Sequence, residues 1–431
     1  MTDLIVKETA ALKGRVKAPP SKSITHRVFI AAALSLGFSV IRNPLICDDT
    51  LATMDACRML GAIIRKKAAN VFEVQGISKV LTPEDVIDCH DSASTMRFLT
   101  PVCALAEGIS VLTGGRSLRR RPVGPLLDAM RQLGIQCYST RGDGYPPVIV
   151  FGGGIKGGEA FMPGDVSSQF VSGLLFATPM AENDTDIKLS TVLESKPYVE
   201  ITMNVLRSHG VKVEADSDYR SFHVSCNQRY SPSDHTVEGD YSSAAFLLAA
   251  AAITDSRIRV TNLREDSSQG DRVIVDLLKE LGVKIVLGKD FVEVEGTETY
   301  LQPFNVDLRD NPDLIPVCTV LACYAHGKSV IHGVKRLRFK ESDRVAALLD
   351  ELTKMGAKIR VVNDAIEVEG GEKLRGAELN SHRDHRIAMA CTVSALGAEG
   401  TSVIRGVECI NKSYPNFVGD IKSIGANIVE R

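Results

Sequence analysis

Several short loops of this sequence combine cations, carboxylates and hydroxyls at spacings that suit proton transfer on a small anion. Arg336-Leu337-Arg338-Phe339-Lys340-Glu341-Ser342-Asp343-Arg344 sets four cations beside two carboxylates. Glu341, between Lys340 and Arg344, is a candidate acid or base, because neighbouring charge sets the proton affinity of a carboxyl group. Asp313, in Asp310-Asn311-Pro312-Asp313, is a second candidate. Pro19-Pro20-Ser21-Lys22-Ser23-Ile24-Thr25-His26-Arg27 places Lys22 and Ser23 at an expected helix start. Arg27 follows one turn later, on the same face as Ser23. Two cations and a hydroxyl there suit a phosphate or a carboxylate. Gly164-Asp165-Val166-Ser167-Ser168-Gln169 offers two hydroxyls and an amide at another helix start, without the Gly–Lys spacing of a P-loop. Ser117-Leu118-Arg119-Arg120-Arg121-Pro122, Asp384-His385-Arg386 and Asn411-Lys412-Ser413 add further cations. Taken singly, each has an ordinary explanation as a helix cap worth about 1 kcal/mol or as a surface ion pair. Lys22 and Arg27 fit that explanation poorly, since cations near a helix N-terminus oppose its dipole.

The elements that carry these loops recur. Gly61, Gly134, Gly210, Gly282, Gly356 and Gly425 each end a helical pattern and release a short β-like run, at intervals of roughly 70 residues. A glycine at that place turns the chain through positive φ. A second series keeps the same period. The polar clusters PPSKS, DSAST, GDVSS, GDYSS, DNPD and HRDH each precede an apolar helix-like run, and strands follow from Ser39, Ser110, Asp186, Arg257, Ser329 and Ser402. Two series in one register, six times over, describe six α/β units. The first helix of each unit is apolar all round, as in Ala244–Ala251, and must be buried on every side. The second is amphipathic, with Leu126, Leu127, Met130 and Leu133 on one face. Sheets outside buried helices are the expected arrangement. One core rarely grows past about 250–300 residues, so two groups of three units are expected, divided near Val237–Asp240. The strand pair before Pro19-Pro20 fits either half. Basic loops at equivalent repeat positions, Arg121, Arg344 and Lys412 among them, are expected to converge on a cleft suited to small polyanions.

Composition narrows the classes. The 431 residues carry 51 Lys+Arg against 53 Asp+Glu, a net charge of −2 that gives no global basic field for nucleic acid. Trp is absent and aromatics are 5%, so base-stacking platforms are poorly supported. The longest apolar run, Ala244–Ile253, is about half of a bilayer span. The first residues have neither signal-peptide nor transit-peptide character, so a cytoplasmic protein without membrane association is expected. Ten cysteines include no C-x-x-C pair, and no H-E-x-x-H occurs. Reduced thiols and no metal site are therefore expected.

Together, PSKSITHR, RRRPVGPL, GDVSSQFVSGLL, ESKPY, VEGDYSSAAFLLAA, FKESDR and DHRIAMA resemble the EPSP synthase (3-phosphoshikimate 1-carboxyvinyltransferase) family of enolpyruvyl transferases, over nearly the full chain. The resemblance implies an α/β fold, a two-domain inside-out α/β barrel of six βαβαββ repeats, three per domain. The N-terminal strand pair then joins the C-terminal domain, giving domains 18–237 and 1–17 plus 238–431 with the active site in the cleft between them. It implies enolpyruvyl transfer from phosphoenolpyruvate to the 5-hydroxyl of shikimate 3-phosphate, on the shikimate pathway to chorismate and the aromatic amino acids. No cofactor and a monomeric state are implied. By position, Lys22, Ser23, Arg27, Ser167, Ser168, Gln169, Ser195, Asp313 and Lys340 resemble the shikimate 3-phosphate ligands. Lys22, Ala93, Arg121, Gln169, Arg344, Arg386 and Lys412 resemble the phosphoenolpyruvate ligands. Asp313 resembles the residue that accepts the 5-hydroxyl proton, and Glu341 the acid that protonates the methylene carbon. Catalytic roles thus fall on Asp313, Glu341 and Lys22.

Two positions depart from the family pattern. In Asp91-Ser92-Ala93-Ser94, Ala93 replaces a glycine of the phosphoenolpyruvate subsite, and its methyl is expected to weaken glyphosate-type inhibition. Arg336 stands where some members have Asn. The sister transferase acting on UDP-N-acetylglucosamine is the nearest alternative. It has a Lys-x-x-x-Asn opening and a loop cysteine, whereas this chain has Lys22-Ser23-Ile24-Thr25-His26 and no cysteine in residues 116–124. A non-catalytic anion-binding repeat protein is a further alternative, which would not need Asp313 and Glu341.

Overall fold

A computed structural model describes residues 2–254, 256–297 and 300–431. Its strands form six four-stranded sheets of one topology. Each sheet has a parallel pair at one side and an antiparallel pair at the other. In four of them a buried helix joins the parallel strands, and in five the antiparallel strands form a hairpin. Ile87–Asp88 pairs parallel with Ile109–Thr113, which pairs antiparallel with Val148–Phe151, and Cys137–Ser139 lies at the edge. A parallel pair needs a crossover, and here the helix Ala93–Cys103 supplies it.

Three sheets take a strand from elsewhere in the chain. Leu4–Lys7 lies between Thr401–Arg405 and Ile428–Glu430, antiparallel to both. Lys13–Lys17 runs parallel to Arg257–Thr261. His235–Thr236 adds to Phe38–Arg42. The chain accordingly divides into two compact units, Ser21–Val237 and Met1–Pro20 with Glu238–Arg431. Ala18 N donates to Thr261 O and Asp240 N to Pro19 O, so the 18–20 segment stays with the C-terminal unit.

Each unit encloses three helices, one from each repeat. They are Lys22–Leu34, Ala93–Cys103 and Ser168–Ala177 in one unit, and Tyr241–Ile253, Ile315–Tyr324 and His385–Leu396 in the other. Every residue from Tyr241 to Ala252 is buried, as an all-apolar helix requires. The second helices bury one face only. In Gly124–Gln132 that face is Leu126, Leu127, Ala129 and Met130. The six repeat glycines all have positive φ. Serines at the start of the central strands have a shared task. Ser39, Ser329 and Ser402 are buried and accept the backbone N–H of Ser233, Phe304 and Ala377, each just before the strand that pairs alongside.

Five of the six polar clusters cap their buried helices through Ser21, Ser92, Ser167, Asp240 and Asp384. The fifth cluster in chain order differs. Its helix starts at Ile315 after Leu314, with no side-chain cap. Pro316 lies in the first turn, where a missing N–H costs nothing. Asp313 is thereby spared for other partners. Among the described residues no helix is long and apolar enough to cross a membrane. All ten cysteines are free, and eight are buried.

Candidate active site

In the N-terminal unit the first cluster faces two carriers of opposite charge. Lys22 opens its helix and forms a 3.0 Å ion pair with Asp49, a buried residue in the first turn of helix Asp48–Met59. That carboxylate answers both the lysine and the positive end of its own helix. Arg27 is 2% exposed. It donates from Nε to Thr202 Oγ1 at 2.7 Å, from Nη1 to Ser23 O at 2.8 Å and from Nη2 to Tyr198 O at 2.9 Å. Its guanidinium also stacks over Phe98. Ser195, at φ +59°, precedes the helix Lys196–Ser208 that carries Tyr198 and Thr202. Lys22, Ser23, Arg27 and Ser195 thus surround adjoining helix starts.

A second group forms around Arg97, the one charged residue of the buried helix Ala93–Cys103. Arg97 Nη1 donates to Gln169 Oε1 at 2.9 Å and Ser167 Oγ at 3.2 Å, and Nη2 donates to Pro122 O at 3.1 Å. Gln169 Nε2 returns a bond to Ser94 Oγ at 2.9 Å. Ser168 follows the Ser167 cap and is buried. Arg121, next to Pro122, is buried and donates to Ser117 Oγ at 3.0 Å, while Arg119 and Arg120 are exposed. Of the three adjacent arginines, only the one nearest the helix is turned inward. Ala93 is the first residue of its helix and buried. The helices bearing Ser94 and Gln169 meet closely at Gly173, where a Cβ would lie 2.2 Å from Arg97 O.

The C-terminal unit holds an ionic network around Arg344, which is 1% exposed. Arg344 starts helix Arg344–Lys354 and donates to Asp384 Oδ2 at 2.8 Å, Glu341 Oε2 at 2.9 Å and Asp313 Oδ1 at 3.0 Å. Lys340 Nζ lies 3.5 Å from Asp313 Oδ1, and Arg386 Nη2 is 3.3 Å from Asp313 Oδ2. Lys412 Nζ is 3.3 Å from Glu341 Oε1. Four cations therefore share three carboxylates. Burial opposes the charge on Arg344, but Asp384, Glu341 and Asp313 outweigh it and hold the guanidinium above its usual range. Burial brings the Lys340 ammonium down to about 8, with attraction to Asp313 resisting and repulsion from Arg344 and Arg336 assisting. Arg336 donates from Nη2 to Arg309 O at 2.8 Å. An incoming anion would compete with the carboxylates for these cations, and release of a carboxylate from a cation raises its basicity.

The structure brings Asp313, Lys340, Glu341, Arg344, Arg386 and Lys412 together in one unit. In the other it brings Lys22, Ser23, Arg27 and Ser195 into one group, and Arg121, Ser167 and Gln169 into another. It adds Asp49, Arg97 and Thr202, which sequence reading did not single out. A charge at the head of the mostly apolar run RFLTPVC was the available signal for Arg97. Asp49 and Thr202 gave none, because their partners lie far along the chain. Among the described residues no cluster of three or more His, Cys, Asp or Glu is placed to hold a metal.

The family profile of EPSP synthase (3-phosphoshikimate 1-carboxyvinyltransferase) matches residues 6–421. A 3-phosphoshikimate 1-carboxyvinyltransferase of Methanocaldococcus jannaschii is 45% identical over 427 residues, 99% of each chain. One from Methanococcoides burtonii is 42% identical over 422 residues, 97% of each. The solved EPSP synthase of Acinetobacter baumannii superposes with a TM-score of 0.84 at 27% identity, covering 100% of this chain and 99% of that one. The chain belongs to the EPSP synthase (3-phosphoshikimate 1-carboxyvinyltransferase) family.

Proposed function

We infer that this chain transfers the enolpyruvyl group from phosphoenolpyruvate to the 5-hydroxyl of shikimate 3-phosphate, giving 5-enolpyruvylshikimate 3-phosphate and phosphate. This is a step of the shikimate pathway to chorismate. The observation that carries the reading is the buried Arg344, which gathers Asp313 and Glu341 among Lys340, Arg386 and Lys412. Two carboxylates within one cationic cluster supply a proton donor and a proton acceptor beside groups that bind anions.

In this reading Glu341 protonates the methylene carbon of phosphoenolpyruvate, and the adjacent carbon becomes cationic. The 5-oxygen of shikimate 3-phosphate bonds to that carbon, and Asp313 takes its proton. A tetrahedral intermediate results. Glu341 then recovers a proton from the new methyl group as the bond to the phosphate oxygen breaks. The carbon–carbon double bond re-forms, and the proton on Asp313 leaves with phosphate or solvent. Lys22, Arg121, Arg344, Arg386 and Lys412, with Gln169, hold phosphoenolpyruvate, and Ala93 lines its subsite. Lys22, Ser23, Arg27, Ser167, Ser168, Gln169 and Ser195 hold shikimate 3-phosphate, with Lys340 beside its reacting end. Asp49 is poised to fix Lys22, and Arg97 to fix Ser167 and Gln169.

Phosphate release tests the reading. It is expected only when phosphoenolpyruvate and shikimate 3-phosphate are both present. Release driven by UDP-N-acetylglucosamine instead would favour the sister transferase, and release with phosphoenolpyruvate alone would contradict both.

A further inference from the structure

Asp271 is a buried carboxylate that the reaction above does not use. It lies in the turn Gly270–Arg272 and is 2% exposed. Its Oδ1 accepts from Asn311 Nδ2 at 3.1 Å, and its Oδ2 accepts from the Ser242 hydroxyl. Asn311 stands two residues before Asp313. Ser242 presents its carbonyl to Arg386 Nη1 at 2.9 Å, and Arg386 Nη2 reaches Asp313 Oδ2 at 3.3 Å. The contacts close a circuit from Asp271 through Asn311 and Asp313 to Arg386 and Ser242, and back.

Holding the turn does not require a charge. Arg272 N already donates to Gln269 O, and burying an ionised carboxylate costs several kcal/mol. The charge is felt at the reaction residues. Burial, and then repulsion from Asp313, push the Asp271 carboxyl up to about 6 against the Ser242 and Asn311 donors and the charge of Arg386. Cys318 of helix Ile315–Tyr324 faces it as well, and burial and Asp271 push its thiol well up.

We propose that Asp271 is a positioning residue of the transfer, fixing both the turn that carries Asp313 and the carbonyl that orients Arg386. The inference rests on the enolpyruvyl-transfer reading. Through Asn311 it sets where the 5-hydroxyl proton is taken, and through Ser242 it sets one arm of the phosphoenolpyruvate clamp. Repulsion between two carboxylates is mutual, so ionised Asp271 also favours proton uptake by Asp313.

Wild type, Asp271→Ala and Asp271→Asn are compared by phosphate release across the acid-to-neutral range, with calorimetric binding of shikimate 3-phosphate alongside. Asp271→Ala removes both tethers. It is expected to lose roughly ten- to hundredfold in kcat and to raise KM for phosphoenolpyruvate, with shikimate 3-phosphate binding close to wild type. Asp271→Asn keeps a carbonyl for Asn311, and the Ser242 hydroxyl can turn to accept from the new amide. It is expected to recover part of kcat and to move the acid limb of kcat/KM to lower pH, because the carboxyl that takes up a proton near pH 6 is gone. Wild-type kinetics and an unmoved acid limb in both variants would overturn the inference, even if melting temperature fell. If Asp271→Ala does not fold, an unmoved limb in Asp271→Asn is sufficient to overturn it. A wild-type chain with no two-substrate phosphate release would overturn the enolpyruvyl-transfer reading and this inference with it.

Discussion

Burial brings the Lys340 ammonium down to about 8, with repulsion from Arg344 and Arg336 assisting. The free enzyme keeps this charge below about pH 8 and loses it above, and kcat/KM reports groups of the free enzyme. An alkaline limb in kcat/KM is therefore expected near that pH. Lys340→Arg should move the limb upward, because a guanidinium stays charged there. An unmoved limb in the variant would show that another group titrates. Ala93 makes a second residue-scale claim. Its methyl lies in the buried first turn of a helix, so Ala93→Gly is expected to strengthen glyphosate-type inhibition, and superimposable inhibition curves would contradict this. Asp313, Glu341 and Arg344 were legible because their charges crowd into short local motifs. Asp49, Arg97 and Asp271 were not, because each acquires meaning from a partner that only folding brings near. Lys22 finds Asp49 from 27 residues away, and Asn311 finds Asp271 from 40.

At the scale of elements, the helices that start with Ala93 and Ser168 set the spacing of Ser94, Arg97, Ser167 and Gln169. Their contact leaves no room at Gly173, where a Cβ would meet Arg97 O at 2.2 Å. Gly173→Ala must push the helices apart. It should destabilise the chain by roughly 1–3 kcal/mol in urea unfolding and weaken shikimate 3-phosphate binding together. Unchanged stability and affinity would refute the close-contact account. Buried and amphipathic helices were readable because their periodicity declares which faces meet the core. Other elements left weaker traces. The strand His235–Thr236 has two residues, too few for any alternation, and its place beside Phe38–Arg42 is set by pairing. The DNPD cluster looked like a cap, but Leu314 takes the cap position and Asp313 turns to Arg344 and Arg386. The departure from the repeat's capping rule falls at the proposed catalytic base.

At the scale of the molecule, each unit has its own apolar core, one built from residues between Val28 and Val237, the other from residues between Leu4 and Ile428. Most proposed shikimate 3-phosphate ligands belong to the Ser21–Val237 unit. Ligand at a hundred times its Kd stabilises the unit it binds by about 2.7 kcal/mol. Shikimate 3-phosphate alone should therefore raise that unit's calorimetric transition more than the other's, and an equal rise in both would count against this assignment of ligands. A net charge of −2 hides this organisation, since local sets of cations are offset by carboxylates beside them and elsewhere. The proposed chemistry turns on Asp313, which the network grips from three cations. The most direct measurement is two-substrate phosphate release by Asp313→Ala, with shikimate 3-phosphate binding followed by calorimetry. Turnover lost by roughly a thousandfold or more with binding retained is the predicted result, and near-wild-type turnover would contradict the account.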